Sequence, residues 1–568
     1  MRIQQMSLSV LALSVCLVFG LSLREADAET CYLKAGDEIA TFGDSITGQG
    51  VYQAYMQRVI DTLYPGSRIT VVNSGSGGKS ADSGVAALKA FPRKGPNSIA
   101  TVMFGVNDTR WAAAGMEAKA KTFVEHMGRM IEIAKESEMP IIFLRETHFS
   151  HNAAPDAWVD SITEALEYLL KAAGELAAEK DVPVIDVLDA YREALSEAWK
   201  KDPKYEFTPD VIHPTQPGHA AMATEILRAM GVGLPLATDE RGPLHLERKA
   251  AVKLEAADGN GMIAENGAIA LVVRCRNTSD AQVEGEVTIV VSGHKDTKTA
   301  SVAAGGTQEL SFKIPAAKLE SRWGVEPLYM VFKGDDVFVA DHALFYYSKV
   351  FHTGKEAFVA TAEDFRRASG EADRTCPVSR VSVNYHPRAG ITIEFKWTDK
   401  NVVPAQLGFK NRFGQTIRAP LDLRNRDGQP CDAIEFYFDL RPDESMGRFT
   451  CNADANPRGV TRIGAYKGKK DGKFVTHLTP LPPPPSPRMR MDQTTFTDQG
   501  DGTCLLRLPK TTRGATLGFS MRVTDADEFG FGKGPVFYLT GRTDVVHEPM
   551  SYIMLSAAKP GIFYRIGY

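Results

Sequence analysis

Short apolar runs alternate with longer segments of helical periodicity between about residues 36 and 230, and this alternation constrains the fold more than any other feature of the sequence. The runs that we interpret as buried strands are 39–42, 69–72, 99–104, 140–144 and 182–186. The segments with helical spacing are 51–63, 116–138, 157–179 and 220–230. Strict alternation of strand and helix predicts a mostly parallel sheet covered on both faces, with any active site at the carboxyl ends of the strands.

A second pattern begins near residue 236, where short alternating strands separated by Gly and Asn are typical of a β-sandwich. Strand-like segments continue from residue 356 onwards and are interrupted by the proline-rich stretch 481–487. A chain of 568 residues has room for roughly three domains at about 100–200 residues each. We therefore predict an α/β domain followed by two β-sandwich domains, with the boundaries 29–235, 236–355 and 356–568.

The N-terminus has the features of a secretion signal. Arg2 precedes an apolar run over 8–23, and Ala26-x-Ala28 has the small-residue spacing of a signal-peptidase site. Residues 1–28 are therefore predicted to be a signal peptide of a secreted or periplasmic protein. A retained membrane anchor is the alternative, although about 16 apolar residues fall just short of the roughly 17–25 that span a bilayer. No other segment is long and apolar enough to span, so we expect no membrane association after cleavage.

Composition argues against a nucleic-acid partner and indicates no metal site. Lys and Arg total 66 against 70 for Asp and Glu, and the formal net charge of -4 provides no basic field for a phosphate backbone. Six cysteines remain without the signal, and none has the C-x-x-C spacing of a zinc or redox site. An exported protein can form disulfides, but the spacing favours no particular pairing. No metal or organic cofactor is expected.

Polar turns follow successive elements of the predicted α/β domain, on the side where a site is expected. These turns are Gly43-Asp44-Ser45, Asn73-x-Gly75-x-x-Gly78, Gly105-x-Asn107-Asp108 and Asp210-x-x-His213-Pro214. A serine in such a turn is, taken singly, more often structural than chemical. Four such turns at one edge of a sheet together indicate a catalytic site.

Each role that acyl transfer requires has a candidate in these turns. Ser45 supplies the nucleophilic hydroxyl, and His213 is the base, because an imidazole with its usual pKa of about 6.5 can accept a proton at neutral pH. Asp210, three residues before the histidine, is the expected partner that orients the ring. The N–H groups of Ser45 and Gly75 and the side-chain amide of Asn107 are the expected oxyanion-hole donors.

In this order the turns resemble the conserved blocks of the GDSL, or SGNH, hydrolase family over about residues 36–232. The resemblance implies a flavodoxin-like three-layer α/β/α esterase fold. It also implies that Ser45, Asp210 and His213 are catalytic and that Ser45, Gly75 and Asn107 form the oxyanion hole. One departure is Ile46-Thr47, which replaces the Leu-containing continuation that gives GDSL its name.

The resemblance and the predicted export together favour a secreted serine esterase that removes short acyl groups, above all acetyl, from a poly- or oligosaccharide through an acyl-enzyme. An acylated carbohydrate is the expected partner, and the oligomeric state is left open. One alternative is a lipase or thioesterase acting on lipid or other acyl esters; another is a catalytically inactive carbohydrate-binding protein. Residues 73–80 nearly spell a phosphate-binding loop, but Asn73 replaces its first glycine.

Several polar and aromatic residues near these turns have less specific interpretations. Asp44 is expected to hold the turn, and His219 to cap a helix or lie at the surface. His148 and His151 are expected to line the cleft rather than to bind a metal. Trp111 fits either a substrate pocket or a packed loop.

The C-terminal segment resembles the family 9 carbohydrate-binding modules in the order of its stretches 435–440, 496–501 and 517–527. That family clamps sugar rings between tryptophans, whereas this segment contains a single tryptophan, Trp397. A structural sandwich packed on the esterase domain is the alternative. The middle domain matches no binding motif and is expected to space or present the other two.

Overall fold

The computed structural model describes the following residues: 30–147, 157–201, 208, 211–214, 216–247, 251–257, 259–264, 268–315, 323–352, 357–365, 376–386, 389–398, 433–439, 460–470, 473–480, 493–509, 516–524, 536–539, 553–556 and 561–566. The predicted signal peptide, the proline-rich stretch and two of the cysteines, Cys431 and Cys451, lie outside these residues.

A parallel sheet forms the centre of the N-terminal domain. Its strands, with a short flanking pair, are β1 (Cys31–Lys34), β2 (Glu38–Gly43), β3 (Thr70–Asn73), β4 (Ser98–Met103), β5 (Ile141–Leu144), β6 (Val184–Ile185) and β7 (Leu236–Ala237). The five-stranded sheet has the order β3-β2-β4-β5-β6, and every pairing in it is parallel. This order changes direction next to β2, and such a switch point opens a crevice at the carboxyl ends of the strands.

Helices connect these strands. They are α1 (Ser45–Gly48), α2 (Val51–Leu63), α3 (Ala81–Ala90), α4 (Met116–Glu136), α5 (Ala157–Glu179), α6 (Val187–Lys201) and α7 (Gln216–Ala229). The helical spacing predicts α2, α4, α5 and α7 to within a few residues, but it does not predict α3 or α6. Helix α3 buries only Ala81, Gly84 and Leu88, so its apolar periodicity is weak. A side chain at Gly84 would begin 2.5 Å from the Phe104 ring, so glycine allows this helix to lie close to the sheet.

The core of this domain lies on both faces of the sheet. Strands β2, β4 and β5 are buried along their whole length, as expected for a parallel sheet covered on both sides. One face of β2 presents Ile39 to α2, α6 and α7, and the other presents Ala40 and Phe42 to α3, α4 and α5. The predicted α/β class with helices on both faces is thereby confirmed.

The rest of the described chain is almost entirely strand. Its strands are β8 (Val252–Ala256), β9 (Gly259–Ala264), β10 (Ala268–Asn277), β11 (Val283–Val291), β12 (His294–Val302), β13 (Thr307–Pro315), β14 (Trp323–Gly334), β15 (Phe338–His352), β16 (Phe358–Thr361), β17 (Val378–His386), β18 (Gly390–Trp397), β19 (Ala433–Asp439), β20 (Val460–Lys470), β21 (Lys473–Pro480), β22 (Thr495–Asp498), β23 (Thr503–Leu508), β24 (Thr516–Thr524), β25 (Val536–Tyr538), β26 (Ile553–Ser556) and β27 (Gly561–Ile566).

These strands form three sheets, consistent with the predicted β-sandwich class. A three-stranded sheet has the order β13-β10-β8, and a five-stranded sheet has the order β16-β17-β18-β23-β22. The third sheet has twelve strands and continues across the predicted boundary at residue 355, because β15 pairs with both β26 and β27. The two β regions therefore share a sheet.

Trp397 belongs to the core of the C-terminal β region. It is the last residue of β18 and only 1% exposed, and it lies in one apolar cluster with Phe395 and Phe436. A buried indole cannot offer its face to a sugar ring. Because Trp397 is the single tryptophan of residues 356–568, this segment does not contain the tryptophan clamp of the family 9 modules.

The middle β region packs directly on the α/β domain. Val331 of β14 and Leu344 of β15 lie in the same apolar cluster as the buried residues of α2 and α7. Tyr329 of β14 is fully buried there, and its hydroxyl donates a hydrogen bond of 2.9 Å to the Val232 carbonyl oxygen just after α7. The α/β domain and this β region are thus stabilised by one continuous core.

The described cysteines are all buried: Cys31, Cys275, Cys376 and Cys504. Burial raises the pKa of Cys31 and of Cys275 to about 11, so both are uncharged apolar groups at neutral pH.

Within the described part of the chain, no helix is long and apolar enough to cross a bilayer.

The Tyr329 hydroxyl allows the shared core to be tested. We expect Tyr329→Phe to lower the free energy of unfolding by about 1–2 kcal/mol, because the buried Val232 carbonyl loses its donor. Urea unfolding followed by tryptophan fluorescence measures this change. Tyr168→Phe, at an exposed tyrosine of α5, is the matched control and should leave stability unchanged. Equal unfolding midpoints for the two variants would show that the contact contributes nothing.

Candidate active site

Ser45 lies where β2 gives way to α1, at the switch point of the parallel sheet. Asp44 caps this turn, since its carboxylate accepts the Ile46 N–H at 2.9 Å, as expected from the sequence. Gly43 is the residue that the tight turn requires. A Cβ at that position would lie 2.8 Å from the Met103 carbonyl oxygen of the adjacent strand and still closer to the Thr47 side chain.

The structure brings Ser45 and His213 together across 168 positions of sequence. The distance from His213 Nε2 to Ser45 Oγ is 2.8 Å, and both side chains are half-buried. An imidazole nitrogen at this distance can take the proton of the hydroxyl. Asp210, the predicted orienting carboxylate, lies outside the described residues, as do His148 and His151.

Gly75 approaches the turn of Ser45 closely. A Cβ there would lie 2.5 Å from the Gly48 nitrogen and 2.6 Å from the Thr47 Cβ, so any other residue would push the two loops apart. The Gly75 N–H donates to Asn73 Oδ1 at 2.9 Å. Asn73 in turn donates through Nδ2 to the Gly48 carbonyl oxygen at 3.3 Å, which joins the loop to α1.

Asn107 lies on the neighbouring loop, at the start of a short 3-10 turn over Asn107–Thr109. Its Nδ2 atom donates to Asp44 Oδ2 and to the Lys79 carbonyl oxygen, each at 3.0 Å. Asp108 accepts the Ala81 N–H at 3.1 Å at the start of α3, and burial raises its pKa to about 7. The three predicted oxyanion-hole residues therefore belong to loops in direct contact.

The comparison with protein families now decides the class of this domain. Residues 39–221 match the model of the GDSL-like lipase/acylhydrolase family. These residues form a GDSL-like lipase/acylhydrolase domain. The domain is accordingly that of a carboxylic ester hydrolase, and it contains Ser45, Gly75, Asn107 and His213.

Similar solved structures include a gut microbial diltiazem-metabolizing enzyme, at 18% identity and a TM-score of 0.32 over 50% of this chain and 72% of that one. The acetylxylan esterase Axe2 of Geobacillus stearothermophilus is 20% identical, with a TM-score of 0.29 over 35% of this chain and 96% of that one. LAE5, an alpha/beta hydrolase from the metagenome of Lake Arreo, Spain, is 20% identical, with a TM-score of 0.30 over 36% and 98% of the respective chains. No curated protein matches the chain.

Glu146 is a buried member of this GDSL-like site that the sequence analysis missed. It lies two residues after β5, fully buried, and its Oε2 accepts the Val106 N–H at 2.7 Å. Its side chain also interacts with the Asp44 carboxyl group. Burial raises the pKa of Asp44 and raises that of Glu146 strongly. The available signal was its place directly after a strand, at the edge where the other polar turns lie.

His219 is expected from the sequence to cap a helix or to lie at the surface, but it is completely buried against the turn that carries Ser45. Its Nε2 lies 2.7 Å from Gln49 Oε1 at the end of α1, and its ring stacks on Tyr52. Burial, with a smaller effect of the nearby His213, lowers the pKa of His219 to about 3. The ring is therefore neutral at physiological pH and adds no positive charge beneath His213.

Trp111, on the loop that follows Asn107, forms an aromatic pair with Trp158 at the start of α5. Trp111 and Trp158 stack with their ring centroids 6.5 Å apart, and they are 38% and 47% exposed. Arg110 and Trp111 both have left-handed backbone, with φ of 51° and 58°, a conformation that non-glycine residues seldom adopt. Lys119 fixes this turn by donating to the carbonyl oxygens of Thr109 and Ala112, both at 2.8 Å.

Among the described residues, no group of potential metal ligands is present.

The neutral His219 gives the domain a specific dependence of stability on pH. An unfolded histidine takes up a proton below about pH 6.5, whereas the folded His219 stays neutral down to about pH 3. The wild type should therefore lose stability through this residue as the pH falls from 6.5, by about 2 kcal/mol between pH 7 and 5. In His219→Gln this part of the pH dependence should be absent.

Urea unfolding of both proteins between pH 7 and 5 measures the effect. The unfolding free energy of the wild type minus that of the variant should fall by about 2 kcal/mol between pH 7 and 5, whatever the size of this difference at pH 7. Parallel curves would show that His219 is not held neutral in the folded state.

Proposed function

We propose that this protein is a secreted serine esterase that removes acetyl groups from a poly- or oligosaccharide. The observation that carries the proposal is the 2.8 Å contact between Ser45 Oγ and His213 Nε2 at the mouth of the parallel sheet. The matched family supplies the ester-hydrolase class. The exposed residues 76–79 and the exposed Trp111 and Trp158 support the substrate, and the predicted signal at residues 1–28 supports export.

In the proposed reaction, Ser45 Oγ attacks the ester carbonyl carbon while His213 Nε2 takes the hydroxyl proton. The protonated His213 then gives this proton to the leaving sugar oxygen as the ester bond breaks, and acetyl-Ser45 remains. Water then attacks the acetyl carbonyl carbon while His213 takes its proton, and His213 returns this proton to Ser45 Oγ as the bond between acetyl and Ser45 breaks and acetic acid leaves. Asp210 is proposed to orient the imidazole and stabilise its cationic form.

The proposed oxyanion donors have acceptors within the protein before substrate binds. Gly75 N–H donates to Asn73, and Asn107 donates to Asp44 and Lys79. When these groups bind the oxyanion, each exchanges one neutral or charged protein acceptor for the developing negative charge.

The surroundings of Ser45 favour a short acyl group. The loop 73–80 has the sequence Asn-Ser-Gly-Ser-Gly-Gly-Lys-Ser, which contains no apolar side chain, and residues 76–79 are exposed. A long acyl chain needs an apolar channel to leave water favourably. The polar, open loop offers none, whereas an acetyl group needs only the immediate neighbourhood of Ser45.

The exposed Trp111 and Trp158 favour a sugar as the rest of the substrate. Large apolar side chains that remain exposed are more informative than buried ones, because solvation of their faces is unfavourable. Indole rings offer flat apolar faces together with an N–H group, a combination that suits the alternating C–H and hydroxyl groups of a sugar ring. The strained turn that presents Trp111 indicates that its position is selected.

Replacement of the nucleophile tests the proposed chemistry. Ser45→Ala should reduce kcat for p-nitrophenyl acetate and for acetylated xylo-oligosaccharides by roughly 10⁴-fold or more, because the substitution removes the hydroxyl that attacks the ester. Hydrolysis of p-nitrophenyl palmitate by the wild type should be negligible by comparison. A fluorophosphonate probe should label the wild type at Ser45 and leave the variant unlabelled.

Other outcomes would lead to other assignments. Faster hydrolysis of the palmitate ester would indicate a lipase, and failure of the folded wild type both to hydrolyse and to react with the probe would indicate a noncatalytic protein. Ser137→Ala, at the end of α4 on the domain, is a control for handling and folding.

Replacement of the aromatic pair tests the substrate class. Trp111→Ala and Trp158→Ala should each raise KM for acetylated xylo-oligosaccharides by about 10-fold, the effect expected from loss of about 1.4 kcal/mol of ring contact. KM for p-nitrophenyl acetate should stay unchanged, because this ester is too small to reach the two indole rings. Steady-state kinetics with both substrates separate the two effects.

Tyr168→Ala provides a matched control. It removes another exposed aromatic residue of α5, ten residues beyond Trp158 and therefore about 15 Å along the helix. Equal increases of KM for both substrates in the tryptophan variants would show that the pair supports the fold of the loop and does not bind sugar.

A further inference from the structure

Asp44 and Glu146 form a buried pair of acids. Both side chains are completely buried and interact with each other. Among the described residues, no lysine or arginine forms an ion pair with either of them. Two carboxylates in contact in a buried site do not both ionise, so the pair holds a proton at neutral pH.

The hydrogen bonds around the pair indicate where this proton resides. Asp44 accepts two N–H groups, from Ile46 and from the Asn107 side chain, and such bonds favour the ionised form. Glu146 accepts one, from Val106, and its Oε1 meets no N–H or O–H donor of the described residues. A proton on Glu146 would turn its contact with Asp44 into a charge-assisted hydrogen bond.

We propose that Glu146 is a positioning residue: as a neutral carboxylic acid it donates a hydrogen bond to Asp44 while accepting the Val106 N–H. This residue thereby joins the turn of Ser45 to the loop of Asn107. The inference rests on the proposed function only in that the positioned atoms are the nucleophile and an oxyanion donor.

Gly105 supports this role from the other side of the loop. Its φ is 153°, and a Cβ there would lie 3.0 Å from Glu146 Oε2 and 2.7 Å from Leu166 Cδ1. Glycine therefore leaves the space that brings the Val106 N–H within 2.7 Å of the carboxyl group. The close approach of Glu146 therefore explains why the Gly-x-Asn-Asp turn begins with a glycine, Gly105.

Other titratable groups face the pair and must be separated from it in any pH measurement. Asp108 lies on the same loop, His213 acts on Asp44 from across the cleft, and Tyr52 of α2 lies beneath both acids. These groups are present in both the wild type and a Glu146 variant, so a difference between the two proteins depends on Glu146 and on its coupling to them.

The test compares Glu146→Gln with Glu146→Leu. Glutamine can donate to Asp44 and accept from Val106 as the neutral acid does, so its kcat for p-nitrophenyl acetate should stay within about 3-fold of wild type. Leucine has a similar size but can form neither the bond to Asp44 nor the bond to Val106. Its kcat should fall by about 10²-fold, the effect expected when a site is misplaced by about 1 Å, and its KM should change little. The wild type should lose kcat at alkaline pH as Glu146 gives up its proton, whereas Glu146→Gln should lack this loss.

Two results would overturn the proposal: Glu146→Gln as impaired as Glu146→Leu, or an alkaline loss of kcat that is the same in Glu146→Gln and wild type. If Glu146→Leu does not fold, the pH profile of Glu146→Gln decides alone.

A stability measurement keeps the inference separate from the proposed function. A group whose pKa is raised on folding stabilises most at low pH and loses this contribution as the pH rises. Thermal unfolding between pH 5 and 9 should therefore favour Glu146→Gln increasingly over wild type as the pH rises. This result would support the shared proton even in a protein without esterase activity, and a constant difference in Tm would overturn it.

Discussion

The Asp44 carboxylate joins the turns from which the site is built. It caps its own turn through the Ile46 N–H, accepts a hydrogen bond from Asn107 and interacts with Glu146 beyond the next strand. Hydrogen bonds to a buried charge are stronger than those between neutral groups, because little solvent competes for them. The ends of β2, β4 and β5 are thus fixed relative to one another through this side chain.

The histidine side of the site is fixed by a separate set of contacts. His213 precedes α7, and His219 on that helix bonds to Gln49 at the end of α1. Ser45 and His213 are therefore connected through Gln49 and His219, which have no role in the proposed reaction. The neutral state of His219 matters here, because a second cation would oppose the charge that His213 acquires when it accepts a proton.

The sequence predicts the framework of the α/β domain well, because a strand buried on both faces and an amphipathic helix have distinct periodicities. The runs 39–42 and 99–104 coincide with β2 and β4 to within a residue. Helix α3 is missed because it buries small residues, and its close approach to Phe104 cannot be read from one chain. Turn chemistry pairs Ser45 with His213, and the two side chains lie 2.8 Å apart. The pairing of Glu146 with Asp44 depends on the spatial proximity of two acids, and no local pattern encodes it.

The continuous core beneath α2 and α7 has a consequence for how this catalyst can be handled. Tyr329 and its neighbours on β14 and β15 cover apolar surface of the hydrolase that would otherwise meet water. An engineer who excised the N-terminal domain would expose this apolar surface to water and weaken α7, the helix that follows His213. Transplanting this enzyme into a chimera therefore requires either that the adjoining strands travel with it or that this surface be redesigned with polar residues.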